Sequence, residues 1–68
     1  MNAIAKTIEI NSSSSLGLED AIQGGLTKVS RTIENIRGAW VSDIKVRTSP
    51  DGRITEWRTC LRVTFVVE

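Results

Sequence analysis

The side chains that could do chemistry in this chain are few, and most lie in its last third. The sequence contains no histidine and a single cysteine, Cys60, so neither a Cys–His nor a Ser–His catalytic pair is possible within it. Cys60 lies between Arg58 and Arg62, and of a reactive thiol and a tolerated small residue we favour the small residue. The eight carboxylates are scattered without visible pairing. These observations predict that the protein is not an enzyme.

Two tryptophans and a group of cations are the remaining chemical resources. An indole offers a flat face for stacking, and an arginine offers forked donors for carbonyl or phosphate oxygens. The segments that carry Trp40 and Trp57 also carry the cations Lys45, Arg47, Arg53, Arg58 and Arg62. This combination suits a planar aromatic ligand with an anionic tail. We favour a core position for Trp57, whereas core, subunit interface and ligand contact all stay open for Trp40. For the arginines we favour a solvated or salt-bridged sheet face over ligand contact.

A strand over residues 53–67 must position most of these side chains. Apolar residues recur at every second position, which predicts one buried face made of Trp57, Leu61, Val63, Phe65 and Val67. The opposite face would carry Arg58, Cys60, Arg62 and Thr64. A strand of this length is more than 68 residues can cover alone, so we expect the chain to assemble with copies of itself.

Three further elements precede this strand. Isoleucine-rich residues 3–10 predict a first strand, and residues 11–15, an asparagine and four serines, predict a polar loop. Apolar residues spaced by three and four predict a helix over residues 18–35, capped by Gly17 and ended by Arg37 and Gly38. Residues 39–48 predict a second strand, whose weak contrast between faces admits a bulge. One of its faces would carry Trp40, Ser42, Ile44 and Val46.

The predicted fold is of the α+β class, with the order β-α-β-β and a three-stranded antiparallel sheet packed on one helix. Residues 49–52, Ser-Pro-Asp-Gly, favour a turn that joins the second and third strands as a hairpin. We expect the third strand to lie between the first and the second, and residues 1–68 to form a single domain. Gly24 and Gly25 in mid-helix indicate close approach of another backbone, with local fraying as the alternative.

The composition of the chain indicates its cellular compartment and the kinds of partner it could bind. One cysteine excludes a disulfide within the chain, and a free thiol fits the cytoplasm. The net charge of +1 gives no general case for nucleic-acid binding, and no stretch approaches the apolar length of a membrane span. Self-association is the remaining way to stabilise so small a core.

Three segments of the chain resemble the dodecin family. Ile8-Glu9-Ile10 is similar to the family's first strand, residues 19–26 (Glu-Asp-Ala-Ile-Gln-Gly-Gly-Leu) to the start of its helix, and residues 53–65 to its last strand. The resemblance runs nearly end to end, without a gap up to the hairpin turn. It implies a hollow spherical assembly of twelve chains that binds flavins, such as riboflavin or its mononucleotide FMN, between subunits for storage or protection.

The resemblance also implies a place for the flavin. In flavin-binding members a tryptophan just after the helix stacks on the isoalloxazine ring, and a glutamine on the last strand bonds to the ring edge. Gly38 and Arg58 occupy those two positions here. On a regular strand Trp40 projects from the same face as Gly38 and would supply the indole, about 7 Å further along. The predicted cofactor-binding residues are Gly38, Trp40, Lys45 and Arg58, with no metal ligand and no catalytic residue.

The same two departures leave a second interpretation open. Some dodecin-like proteins lack the tryptophan, carry arginine in place of the glutamine and are linked to calcium instead of flavin. We favour a flavin-binding cage, and the alternative is a flavin-free structural or cation-associated assembly of the same fold. A sheet that binds nucleic acid is disfavoured, because no surface motif of interleaved aromatic and basic residues is present.

Overall fold

The computed structural model of the protein describes residues 3–67. Its elements are β1 (Ile4–Ser14), α1 (Leu18–Ser30), β2 (Ile36–Thr48) and β3 (Ile54–Val67). Both strand pairs are antiparallel and the sheet order is β1-β3-β2, which confirms the predicted β-α-β-β fold with the last strand in the middle. The predicted single domain over 1–68 includes Met1, Asn2 and Glu68, which lie outside the described residues, and it stays a prediction.

The alternation of β3 builds the core. Leu61 and Val63 are completely buried, and the neighbouring Thr59 on the same face is buried as well. From β1, Ile10 and Ile8 lie opposite these two apolar residues, and the helix packs over β1 and β3. The predicted buried face of β3 is confirmed at Leu61 and Val63, whereas Trp57 and Phe65 are half-buried and Val67 is exposed at the end of the strand.

The strand β1 is longer than predicted, and the prediction of a polar loop over residues 11–15 is wrong as far as Ser14. The register continues through Ser12 and Ser14, which lie opposite Thr59 and Trp57. The Ser12 hydroxyl donates a 2.7 Å hydrogen bond to the carbonyl oxygen of Ala21 in the helix. Serine hydroxyls readily bond to nearby backbone groups, and here that bond joins strand to helix where apolar packing would otherwise be expected.

The helix is shorter than predicted and ends at Ser30 instead of residue 35. The Ser30 hydroxyl donates to the Thr27 carbonyl oxygen and the Thr32 hydroxyl to that of Val29, so local side chains take up groups at the end of the helix. Asn35 then adopts a positive φ of 62°, a conformation that asparagine tolerates, and the chain turns into β2. Gly17 is the N-cap, as predicted. No helix within residues 3–67 is long and apolar enough to cross a membrane.

A bulge at Ser42 interrupts β2. Val41 lies opposite Leu61, but the next pair joins Asp43 to Cys60, so Ser42 is the extra residue. The Ser42 hydroxyl donates to the Cys60 carbonyl oxygen at 3.3 Å. In return, the buried Thr59 hydroxyl donates to the Asp43 carbonyl oxygen at 3.1 Å. The sequence admitted a bulge here, and the structure confirms it.

This bulge changes which residues share a face of β2. Ile44 lies opposite Thr59 and Val46 opposite Trp57, so both face the side of the helix. Trp40 lies opposite Arg62 and therefore faces away from the helix. The prediction that Trp40 shares a face with Ile44 and Val46 is wrong, because the extra residue shifts the alternation by one position. Trp57 is half-buried on the helix side, in line with the expected core position.

The turn that joins β2 and β3 is held by backbone and side-chain bonds. The Gly52 amide donates to the Ser49 carbonyl oxygen at 2.9 Å, and Gly52 has a φ of 87°, which glycine adopts without steric cost. The Ser49 hydroxyl and the Arg53 amide both donate to the Asp51 carboxylate. These two bonds stabilise the ionised form and lower the pKa of Asp51. The predicted turn is confirmed.

The two adjacent glycines of α1 have different surroundings. A Cβ added at Gly25 would lie 3.1 Å from the Ser12 Cβ and 3.3 Å from the Ile10 Cδ1, whereas at Gly24 it would meet open space. Gly25 is buried against β1, so the expected close approach is to the strand and concerns this glycine alone. The absence of a side chain at Gly25 lets the helix come near enough for Ser12 to reach the Ala21 carbonyl.

A matched pair of substitutions tests this packing. Gly25→Leu should lower the free energy of unfolding by about 1–3 kcal/mol, because the new side chain overpacks the contact with β1. Gly24→Leu adds the same atoms on the side of the helix that meets no other residue. It should raise the free energy of unfolding by up to about 1 kcal/mol, since leucine has a higher helix propensity than glycine. Urea denaturation followed by circular dichroism measures both changes. Equal midpoints for the two variants would contradict close packing at Gly25.

Candidate ligand-binding site

The sheet face opposite α1, which we call the open face, carries side chains in four rows across the three strands. In the order β1, β3, β2 the rows are Thr7–Thr64–Gly38, Glu9–Arg62–Trp40, Asn11–Cys60–Asp43 and Ser13–Arg58–Lys45. The alternation of β1 and β3 sets two columns of this array. The bulge at Ser42 sets the third column, because it keeps both Trp40 and Lys45 on the open face.

Trp40 is the most accessible large aromatic surface on this face. Trp40 is 65% exposed. The Arg62 guanidinium carbon lies 5.3 Å from the indole centroid, within the range of a cation–π contact. The Nε of the same arginine lies 3.5 Å from Glu9 Oε2 on β1. The second row of the open face is therefore a connected chain of three side chains that ends in an exposed indole.

A shallow pocket of about 250 Å³ occupies the next two rows. Its lining consists of polar and charged residues from all three strands, namely Asn11, Ser12, Ser13, Asp43, Lys45, Arg58, Thr59 and Cys60. On the open face these residues offer the Ser13 hydroxyl, the Asn11 amide and two cations beside the Asp43 carboxylate, because the Ser12 and Thr59 hydroxyls donate to backbone carbonyls. This set suits an anion held by the cations or a polar chain such as a sugar alcohol.

Lys45 and Arg58 lie directly opposite each other on β2 and β3. Like charges opposite each other destabilise a strand pair, so the two cations need negative charge nearby. Lys45 Nζ lies 3.6 Å from Asp43 Oδ2, and Arg58 Nε lies 3.4 Å from Glu56 Oε1. These ion pairs are largely exposed and hold the cations weakly. A ligand anion placed between Lys45 and Arg58 would meet two donors without displacing a buried partner.

Gly38 lies in the first row, one row from Trp40. A Cβ added there would meet nothing within 4 Å, and its φ is not in the left-handed region. The open face therefore has free space beside the indole, which a side chain at Gly38 or a bound ring would occupy.

The structure places all four predicted cofactor-binding residues on the open face, in two groups. Lys45 and Arg58 meet in the pocket, while Trp40 and Gly38 lie two and three rows away. From Arg62 to Arg58 the strand advances four residues, so the indole row and the cation row are about 13 Å apart. Whether any of these residues binds a cofactor stays a prediction.

Sequence reasoning missed part of the site. Arg62 belongs to it through its contact with Trp40, and the alternation of β3 already put this arginine on the face of Arg58. Asp43 was hidden by the bulge, because a regular strand would not place it between Trp40 and Lys45 on one face. Across residues 3–67 no three histidine, cysteine, aspartate or glutamate side chains come together as a possible metal site.

The hairpin of β2 and β3 leaves an apolar surface uncovered on the helix side. Ile44, Val46 and Ile54 are between 41% and 53% exposed there, beyond the reach of the helix over β1 and β3. The radius of gyration is 14.2 Å, against about 11 Å for a compact chain of this length. A long sheet that one helix only partly covers presents apolar surface to a partner.

Comparison with known proteins agrees with this geometry. The family model described as Dodecin matches residues 4–68. A dodecin of Thermus thermophilus has 28% identity and a TM-score of 0.90, with 98% of each chain covered. The dodecin of Streptomyces davaonensis has 25% identity and a TM-score of 0.90, covering 100% of this chain and 98% of the other.

A third solved structure is the calcium dodecin of Mycobacterium tuberculosis, described as a calcium-chelating antigen with a novel calcium-binding site. It has 25% identity and a TM-score of 0.80, covering 96% of this chain and 91% of the other. No curated protein matches the chain. Homo-oligomeric assembly and binding of a small ligand are properties of the family whose model spans nearly the whole sequence. The chain belongs to the dodecin family.

Proposed function

We propose that the chain assembles into a dodecameric cage that binds and sequesters a flavin, riboflavin or FMN, as a storage or protective protein without enzymatic activity. The observation that carries this proposal is the arrangement of the open face. An exposed indole and a pair of facing cations lie on one surface, separated by about 13 Å of strand. That separation suits a ligand with a planar ring at one end and a phosphate at the end of a short sugar chain.

The ring would stack on Trp40. Its indole is the exposed aromatic surface of this face, and the empty space at Gly38 leaves room beside it. Stacking of two aromatic rings contributes about 0.5–1.5 kcal/mol beyond the area buried. A second chain seated against the open face would enclose the ring from the other side, which is consistent with a site between subunits.

The polar end of the ligand would lie in the pocket lined by Lys45 and Arg58. A ribityl chain offers hydroxyls that match Asn11 and Ser13, and a phosphate would separate the two like charges. Charge-assisted bonds to phosphate are stronger than bonds to neutral hydroxyls. The proposal therefore implies that FMN binds more tightly than riboflavin.

Fluorescence titration with riboflavin tests the role of Trp40. Trp40→Ala should weaken binding more than tenfold, about 1.4 kcal/mol, because the stacking surface is lost. Trp57→Phe is the matched control, because this tryptophan lies on the helix side of β3 and should leave affinity unchanged. A protein whose riboflavin affinity does not respond to Trp40→Ala would contradict stacking at this residue.

Comparison of the two flavins tests the cation pair. Arg58→Gln and Lys45→Ala should each weaken FMN by about three- to tenfold while changing riboflavin little, since only FMN carries a phosphate. Arg53→Gln removes the same charge at the exposed turn and serves as the control for a general electrostatic effect. If Arg53→Gln weakens FMN as much as Arg58→Gln does, the phosphate is not held between Lys45 and Arg58.

Light scattering tests the assembly. The proposed dodecamer has a mass of about 90 kDa, twelve times the 7.5 kDa chain. Ile44→Asp places a charge on the uncovered apolar surface of the hairpin and should dissociate the assembly, whereas Leu16→Asp changes a still more exposed residue outside the hairpin and should not. A monodisperse wild-type monomer at micromolar concentration would overturn the cage.

The second candidate is a cation-associated assembly without flavin, and the relationship to the calcium dodecin of M. tuberculosis favours it. A double substitution separates the two candidates. Gly38→Trp with Arg58→Gln restores the residues expected of a flavin site, and the open space at Gly38 admits the new indole. Binding of flavin by the double variant but not by wild type, together with calcium-dependent thermal stabilisation of wild type, would favour the second candidate.

A further inference from the structure

Glu9, Arg62 and Trp40 form one row across the three strands. Arg62 lies opposite Glu9 on one side and opposite Trp40 on the other. Its Nε is 3.5 Å from Glu9 Oε2, and its guanidinium carbon is 5.3 Å from the indole centroid. The arginine thus bridges a carboxylate on one edge strand and an aromatic ring on the other.

This bridge acts on a ring that burial does not fix. Trp40 is 65% exposed in the single chain, so packing within the chain leaves its side-chain torsions free to change. A guanidinium over one face attracts the negative face of the indole and restricts the ring to orientations that keep the contact. The exposed ion pair with Glu9 on the β1 side attracts the guanidinium and favours the orientation in which it also lies over the indole.

We propose that Arg62, held by Glu9, is a positioning residue of the ligand site. It fixes the Trp40 indole on the open face and covers one side of the ring, so that a planar ligand stacks on the other side only. The part of this inference that concerns the ligand rests on the proposed function. The part that concerns the indole is a property of the free protein.

The neighbouring ion pair of Arg58 and Glu56 supplies an internal comparison. It joins an arginine and a glutamate of the same strand on the same face, at 3.4 Å, with similar exposure. Arg58 lies opposite Lys45, not opposite an aromatic ring. Neutralising Glu56 changes the charge of the open face as much as neutralising Glu9 does. It should not change the mobility of Trp40, because Arg58 does not contact the indole.

The first experiment measures the mobility of Trp40 in the assembled protein without ligand. In a Trp57→Phe background Trp40 is the only tryptophan, and its fluorescence anisotropy decay reports local motion of the ring. Arg62→Ala should increase the amplitude of the fast decay most, and Glu9→Gln should increase it less. Arg62→Lys keeps a cation and should restore part of the order, whereas Glu56→Gln should match the background.

The second experiment titrates the same variants with riboflavin, which carries no phosphate. Arg62→Ala and Glu9→Gln should weaken binding by about twofold to fivefold, the range expected for an exposed cation–π contact. Arg62→Lys should fall between wild type and Arg62→Ala. Light scattering on each variant confirms that the comparison is made on the same assembly.

The outcomes separate this inference from the proposed function. Unchanged Trp40 mobility in both Arg62→Ala and Glu9→Gln would overturn the positioning role. Riboflavin affinity that stays constant while mobility rises would overturn it as well. If mobility responds as expected but wild type binds no riboflavin, the positioning of the indole is supported and the flavin proposal fails.

Discussion

The pairing of β3 with both of its neighbours is the constraint on which the rest of the structure depends. A strand in the middle of a three-stranded sheet has both edges occupied, so its alternation sets the two faces of the whole sheet. Leu61 and Val63 fix one face against the helix. Arg62, between these two residues, and Cys60, just before them, must therefore project from the other face. The register of β3 with β1 and β2 thus determines both which residues form the core and which residues line the candidate site.

The open face concentrates polar and charged groups, and its net effect on stability is small. Its ion pairs are exposed and contribute little each. The opposition of Lys45 and Arg58 works against pairing of the strands. The apolar burial that holds the sheet together lies on the helix side, so the core does not constrain which residues the open face carries. This division explains why side chains that add little to folding are gathered in one place.

The fold could be predicted from sequence because its strongest signals are periodic. The alternation of β3 and the spacing of apolar residues in α1 gave the element order, the class and the central position of β3. The ends of elements were less accessible: Ser12 and Ser14 look like a loop but extend β1, because their hydroxyls bond to groups at the start of the helix. The helix ends before the apolar spacing does, and serine and threonine hydroxyls near its end bond to its last carbonyl groups.

The sequence predicted which residues lie on the candidate site but not how they are arranged there. The position of Arg58 follows from alternation alone. The joint placement of Trp40 and Lys45 depends on the bulge, which the weak contrast between faces admitted without locating it at Ser42. Arg62 was seen as one cation of several, because a contact between cross-strand neighbours requires the register to be known. The family model over residues 4–68 shows the family. At 25–28% identity to the solved dodecins, the side-chain chemistry of this chain has to be argued from its own residues.

The bulge at Ser42 divides β2 into two segments of opposite phase. From Gly38 to Val41 the even-numbered residues point to the open face, and from Asp43 to Arg47 the odd-numbered residues do. The bulge lets β2 carry one residue more than the stretch of β3 with which it pairs. Deleting Ser42 would leave a regular strand in which Val41 and Asp43 still lie opposite Leu61 and Cys60, so Ile44 would stay on the helix side and Lys45 on the open face. The register with β3, and not the number of residues in β2, therefore decides which side chains form the open face, and the bulge can absorb the loss of one residue without exchanging the two faces.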